Sequence, residues 1–347
     1  MAFLSLMDAA RRMDPEGDID TIAELLSQAN EFFKDMTWTE SNLDVGHKVT
    51  IRTGLPSGTW RLPYAGVPFA RSTTAQITEG LGFLSAISQI DKRVADLGGK
   101  LAQIRMTEDS AFLEGMSQQM ATTFFYGNTN TVPSQFTGFS PRYATVATAT
   151  AANAQNCIDA GGTGSSNLSI WLVGWGDMTT FAIYPKGTKA GLQFEDRGDV
   201  QFGQDSAGNW FPAYTSYFEW NAGLVTKDWR YNVRIPNVDT TTGAQGLFGT
   251  TPPDLFYLMS KAVVRLPTLS KRVSGITETD APDEPSPGIN PAFYTNRTGR
   301  ESMDIQAIRD KNVLLKPTEY AGAPVVEFRG VPIRVADTLL NTESRVV

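Results

Sequence analysis

The 347-residue sequence has one cysteine, Cys157, and one histidine, His47. A single thiol excludes an internal disulfide framework, and a zinc centre or a Ser-His-Asp triad would have to be built around His47. No apolar run approaches the roughly 20 residues that span a bilayer. Charge is scarce too: 19% of the residues are Asp, Glu, Lys or Arg, against roughly 25% in ordinary soluble domains. Such a surface is expected to meet other protein more than water. The net charge of −7 offers no general attraction to nucleic acid or to anionic membranes. The apolar start, Met1 to Met7, has no cation ahead of it and runs into Arg11-Arg12, the reverse of a signal peptide. The expectation is a protein made in a reducing cytoplasm.

What the sequence does contain is organised around one long helix, expected over 108–126. Thr107 is the candidate N-cap, Glu108 and Asp109 favour the first turn through the helix dipole, and Gly127-Asn128 offers a left-handed stop. Met106, Leu113, Met116, Met120 and Phe124 share one side of it at helical spacing. That side needs a cover. Ahead of it, residues 1–45 hold two short helical patterns, the second presenting Ile19, Ile22, Leu25 or Leu26, Ala29 and Phe33 on one side, which also needs a surface to lie on.

From Gly46 to Arg71 the pattern changes. Val49 to Arg52 reads as a strand, after which Gly54, Pro56, Gly58, Pro63, Gly66 and Pro68 interrupt aromatic and basic residues. The segment has little core of its own and reads as a long extended hairpin projecting from the body. Loops of this length in a compact domain are usually functional or disordered. Its apolar tips Trp60, Tyr64, Val67 and Phe69, with Arg61 and Arg71, are the candidate interface residues.

Beyond the long helix the chain reads as β-rich. Leu168 to Val173 is a buried strand; Phe218 to Leu224 and Trp229 to Ile235 alternate as two half-buried strands, read as a hairpin. A helix is expected over Asp254 to Val264 behind Pro252-Pro253, a loop over Thr277 to Asn290, a helix over Met303 to Lys311, and closing strands broken at Gly330. The glycine cluster at 161–164 lacks the lysine and the spacing of a phosphate loop. No catalytic residue, metal ligand or cofactor site is singled out. The aromatics from Trp210 to Tyr231 leave one alternative, a secreted carbohydrate-binding or glycan-hydrolysing β-rich protein.

A set of motifs, in this order, resembles the major capsid proteins of tailed bacteriophages, the HK97-like fold, and among them the gp7-type family of some short-tailed phages. They begin with Leu55-Pro56, Trp60-Arg61, Ala65-Gly66-Val67, Ser72-Thr73-Thr74 with Gln76, Ile90-Asp91-Lys92 and Ala95-Asp96-Leu97. Glu108-Asp109, Phe112 to Met116, Phe125-Tyr126-Gly127-Asn128 and Phe139 to Tyr143 follow. Trp171 to Gly176, Tyr184 to Gly187, Trp220 to Leu224, Asp228-Trp229-Arg230 and Arg234-Ile235 complete it. The resemblance implies an α+β fold with an N-terminal arm over 1–45, an E-loop over 46–72, a peripheral P-domain over 73–135 carrying the spine helix, an A-domain over 136–250, and a return to both over 251–347. It implies a structural, non-enzymatic protein that assembles with itself into hexamers and pentamers, an icosahedral head enclosing dsDNA, located in the virion and built in the bacterial cytoplasm. A separate scaffolding protein, a portal protein and decoration proteins are the further partners implied, with DNA met non-specifically on the inner face and no membrane. Some relatives weld subunits through an E-loop lysine; here the loop offers only Lys48, at its base.

Overall fold

A computed structural model describes residues 27–96, 101–197, 201–204, 207–267, 289–309, 315–320 and 323–347. The helical patterns expected ahead of Ala29 and all but the last two residues of the loop expected over 277–290 lie outside them. The described chain starts on a one-turn helix α1 (Phe32–Asp35) and strand β1 (Trp38–Glu40). Strands β2 (Gly46–Gly54) and β3 (Thr73–Gly80) form a separate antiparallel ribbon. Strand β4 (Gly82–Asp91) then leads through the short α2 (Lys92–Ala95), capped by Asp91, into the long helix α3 (Leu101–Tyr126).

Helix α3 has 26 residues, is about 39 Å long and begins about two turns ahead of the expected start at Glu108. Thr107 does not cap it. Its hydroxyl donates to the carbonyl of Gln103 one turn back, inside the helix, because Ile104 packs with Ile90 and Ala95 and holds the earlier turn in place. The stop falls where expected, for a different reason. Gly127 is not left-handed; a Cβ there would lie 2.5 Å from the carbonyl oxygens of both Thr123 and Phe136, so only glycine admits the returning chain. Met116, Met120 and Phe124 are buried, whereas Leu113 is 40% and Met106 78% exposed; the described residues cover the apolar stripe along its C-terminal half.

After α4 (Phe139–Arg142) come β5 (Asn167–Trp175), β6 (Thr180–Tyr184), β7 (Leu192–Asp196), β8 (Gln201–Gln204) and the 17-residue β9 (Trp210–Thr226). Strand β10 (Asn232–Asp239), α5 (Leu255–Arg265), β11 (Asn290–Thr295), α6 (Arg297–Arg309), β12 (Leu315–Tyr320), β13 (Ala323–Phe328) and β14 (Val331–Val335) complete the chain. Asp254 caps α5 by accepting from the Tyr257 amide at 2.9 Å, and Arg329-Gly330 closes the last hairpin with φ of 52° and 76°, as a two-residue turn of matching twist requires.

The expected hairpin of β9 with β10 is not formed. Strand β9 pairs with β4, β6, β7 and β8, while β10 pairs antiparallel with β5, Val233 opposite Leu172. Residues 229–231, expected in the strand, form a 3-10 turn. Alternation gives a strand its faces but not its partner, and here β10 is buried on both faces because two cores meet at β5. Trp171, Val173 and Trp175 of β5 join Phe32, Met120, Phe124, Phe125 and Phe139. The opposite side chains, Leu168, Ile170 and Leu172, join Val233, Ile235, Leu255, Met259, Phe293 and Met303.

Candidate assembly surface

The ribbon is fixed at its root and free beyond it. Val49 packs into a small core with Phe181, Ile183 and Val225. Across the strands Val49 lies opposite Ile77 and His47 opposite Glu79. The Glu79 carboxylate receives both arms of the Arg142 guanidinium, at 2.5 and 2.7 Å, and Arg142 also donates to the carbonyls of Gly138, Thr137 and Leu224. A two-point ion pair of this kind sets direction as well as distance. The return strand of the ribbon runs from Thr73 to Gly80.

Residues 55–72 are exposed throughout. Trp60, Tyr64 and Phe69 have relative exposures of 102%, 104% and 107%, and Leu55, Leu62 and Val67 reach 78%, 77% and 57%. Six apolar side chains in water are costly unless something covers them. The tip is shaped: the Ala65 amide donates to the Leu62 carbonyl at 3.1 Å, Pro63 stands second and Tyr64 third with φ of 66°, the signature of a type II turn. A tyrosine in that left-handed position is strained, and such strain collects at functional positions. Arg61 donates to the Ala65 carbonyl across the turn at 3.1 Å. From 46 to 78 the sequence holds Lys48, Arg52, Arg61 and Arg71 and no acid, so the projection is cationic on a chain of net charge −7. Trp60, Arg61, Tyr64, Val67, Phe69 and Arg71 therefore share one exposed segment. The spine residues lie apart from it, in the body.

A second constellation was not legible in the sequence. Arg234, expected on the solvent face of a half-buried strand, is 3% exposed. Its guanidinium pairs with Glu343 at 2.8 Å, donates to Ser169 and to the Tyr143 carbonyl, and stacks over Trp171 at 5.0 Å. The same carboxylate accepts from the Tyr126 hydroxyl at 2.5 Å and from Ser169. Burial, and then the Glu343 charge, push the Tyr126 hydroxyl far above its ordinary pKa, so it stays a donor. Glu343 and Asn167 exchange both backbone hydrogen bonds. The end of α3, β5, β10 and the C-terminal stretch are thus tied at one buried point. Glu343 stands 109 residues from Arg234 in a stretch without periodicity, so no sequence signal announces the pair.

The remaining candidates for chemistry resolve into packing. His47 stacks edge-on against Phe181 at 5.4 Å, and burial followed by the nearby Lys227 lowers its pKa. Cys157 is buried, its thiol pushed up to about 11 by burial. Among the described residues no group of three or more His, Cys, Asp or Glu is placed to hold a metal ion, and no helix is long and apolar enough to cross a membrane. The aromatics between 210 and 231 do not line one cleft. Trp220 packs on Phe33, Phe218 lies between Phe112 and Phe194, Tyr217 sits under Arg197, and Tyr231 is buried.

The model of the family described as "Major capsid protein GP7" matches residues 14–347. A chain from the near-atomic structure of bacteriophage Epsilon15 is similar over 100% of this chain and 98% of its own, at 29% identity and a TM-score of 0.73. Chains from the capsid of a native GTA particle and from the bacteriophage JBD30 capsid are 12% and 10% identical, with TM-scores of 0.46 and 0.45. They cover 68% and 91% of this chain, which spans 99% and 92% of theirs. No curated protein matches the sequence.

Proposed function

Because the chain belongs to the GP7 family of major capsid proteins, a structural protein of the phage capsid with an HK97-like α+β fold, we propose that its projecting ribbon is the clamp that joins one subunit to the next. The observation that carries this reading is the full exposure of Trp60, Tyr64 and Phe69 on a segment whose root is held rigidly. Each such side chain contributes about 1.5–3 kcal/mol when buried against a neighbour, and repetition around a closed shell multiplies these small terms. Hexamers and pentamers of the chain enclose the dsDNA, with a separate scaffolding protein, a portal and decoration proteins as further partners, and assembly takes place in the host cytoplasm. The role is structural, without a catalytic centre. In this reading the ribbon is the E-loop and α1 with the chain ahead of it the arm. Helix α3 with β4 and β7–β9 makes the P-domain, and β5, β10, β11, β13, β14, α5 and α6 make the A-domain. In this reading strands β7–β9, although they fall within the 136–250 segment expected for the A-domain, go with β4, to which β9 is paired.

Replacing Thr59 to Ala70 by a Gly-Ser turn tests the clamp. The shortened subunit is expected to stay folded and soluble while electron microscopy finds no stable shells. A subunit that cannot fold would place the segment in the monomer's own core, and intact shells would dismiss the clamp altogether. Lysine is absent from 55–72, so mature particles boiled in SDS should run as a single band near 37.9 kDa; a ladder of covalent multimers would overturn that expectation.

A further inference from the structure

The exposed half of the stripe on α3 and the start of the described chain meet at one place. Phe32 lies 5.1 Å from Phe125 and 6.1 Å from Phe124, near the C-terminal end of the helix. Four residues earlier, the Gln28 amide donates to the Glu114 carboxylate at 2.9 Å, and Gln118 steadies that carboxylate from one turn on. From Gln28 to Phe32 the chain therefore runs parallel to the helix, past ten of its residues or about 15 Å. The run is rigidly tracked: Ala29 donates to Asp337 at 2.9 Å and accepts from the Asp337 amide at 3.0 Å, and the Glu31 amide donates to the Val335 carbonyl.

Traced toward its N-terminus, the described chain thus ends one residue beyond its contact with Glu114, next in sequence to Leu113 and about two turns from Met106. Leu113 and Met106, 40% and 78% exposed, continue the stripe that Met120 and Phe124 bury, since steps of seven and four keep a side chain on one side of a helix. The uncovered stretch from Leu113 to Met106 is about 10 Å long. The eight residues 19–26, outside the described part, carry Ile19, Ile22, Leu25 and Leu26 at spacings of three and four, and a single face of that length is what the stretch can accept.

We propose that residues 19–26 lie in cis along the N-terminal half of α3 and cover Met106 and Leu113, so that the arm completes the core of its own subunit before any neighbour arrives. A second copy's arm is the competing occupant. The position of Gln28 favours the chain's own arm, because a segment already anchored at Glu114 has only a few residues to travel.

The test places Leu113→Cys together with Leu25→Cys, and in a second variant with Leu26→Cys, in the full-length unassembled chain, treated at low concentration with a short bis-maleimide. Cys157 is buried and its thiol held protonated, and Leu113→Cys alone serves as the control. The expected result is a linked peptide within one chain, without doubling of mass. A covalent dimer would assign the stripe to a neighbour's arm and overturn the proposal, as would no link at all. Hydrogen exchange on the unsubstituted protein gives a second reading that does not depend on the variants folding. Amides 19–26 should exchange at least ~10-fold more slowly than in the free peptide, and should return to the peptide rate in the Met106→Glu/Leu113→Glu variant while those of Phe124 and Phe125 stay slow. Free-peptide rates in the unsubstituted protein would also overturn it.

Discussion

The projecting loop and the buried joint at the end of α3 use the same chemistry in opposite ways. The loop displays Trp60, Tyr64 and Phe69 with Arg61 and Arg71 on a cationic, fully exposed segment. The joint gathers Trp171, Tyr126 and Tyr143 around Arg234 and gives that cation a carboxylate, a hydroxyl, a carbonyl and a ring. One is complete inside a single subunit; the other, in the proposed clamp, is completed by a neighbour. What distinguishes them is whether each polar and apolar group already has its partner, and this decides where a substitution is felt: in the melting temperature for the joint, in assembly for the loop.

The sharpest form of that comparison is Glu343→Ala beside Tyr64→Ala. Removing Glu343 leaves the guanidinium of Arg234 buried without its counter-charge, and breaking a buried pair from one side typically costs about 3–5 kcal/mol. The Tyr64 side chain touches solvent on every side, so its removal should leave the unassembled subunit's melting curve where it was. Denaturant titration of the two variants checks both halves. A Glu343→Ala subunit as stable as its parent, or a Tyr64→Ala subunit that melts early, would erase the distinction.

Met120→Ala is the next test in size. The side chain is 2% exposed among Phe124, Phe125 and Trp171, and truncating a buried methionine to alanine costs about 2–4 kcal/mol through the lost contacts and the cavity left behind. No charge is stranded, so the loss should fall short of that of Glu343→Ala. An unchanged melting temperature with normal assembly would mean that the covered half of the spine does not hold the subunit together.

How much of this was legible in the sequence follows the reach of each signal. The hairpin could be read because a proline- and glycine-rich run with no apolar period excludes helix and core within the run itself. The start of α5 behind Pro252-Pro253 and the break at Gly330 were likewise local. The start of α3 was misread because Thr107 and the acids after it look like a cap, while what extends the helix back to Leu101 is the packing of Ile104 on Ile90, a contact made across the strand-to-helix turn. The β9–β10 pairing failed for a related reason: strands adjacent in sequence and equally alternating were each claimed by more distant partners, β4 at 82–91 and β5 at 167–175. The Arg234–Glu343 joint lay furthest out of reach. An arginine alternating with Val233 and Ile235 reads as solvent-facing until its partner from the C-terminal stretch is known.

The smallest expected effect lies between the two regions, at Asp109 on α3. Its carboxylate accepts from Ser216 at 3.1 Å, Arg105 bridges Ser216 to Asp196, and its other oxygen is buried without a partner. Burial raises its pKa above the ordinary 3.8, with Asp196 adding to the rise, while the hydrogen bonds from Ser216 and Ser88 and the charge of Arg105 pull it back. The net is upward, so the folded subunit holds this proton more tightly than the unfolded chain does. The stability this contributes is fully present below pH 3.8 and is lost as the pH rises through the folded value. Asparagine keeps the neutral form at every pH and can still accept from Ser216. Asp109→Asn should therefore melt with its parent near pH 3 and about 1–3 °C above it at pH 7. The gain stays small because the group is only partly withdrawn from solvent, which screens whatever charge it carries. Parallel melting curves from pH 3 to 7 would show that the desolvation of Asp109 is matched by its partners; a variant that melts lower at pH 7 would show that Ser216, Ser88 and Arg105 outweigh it, making this carboxylate a member of the buried joint's class and not an intermediate case.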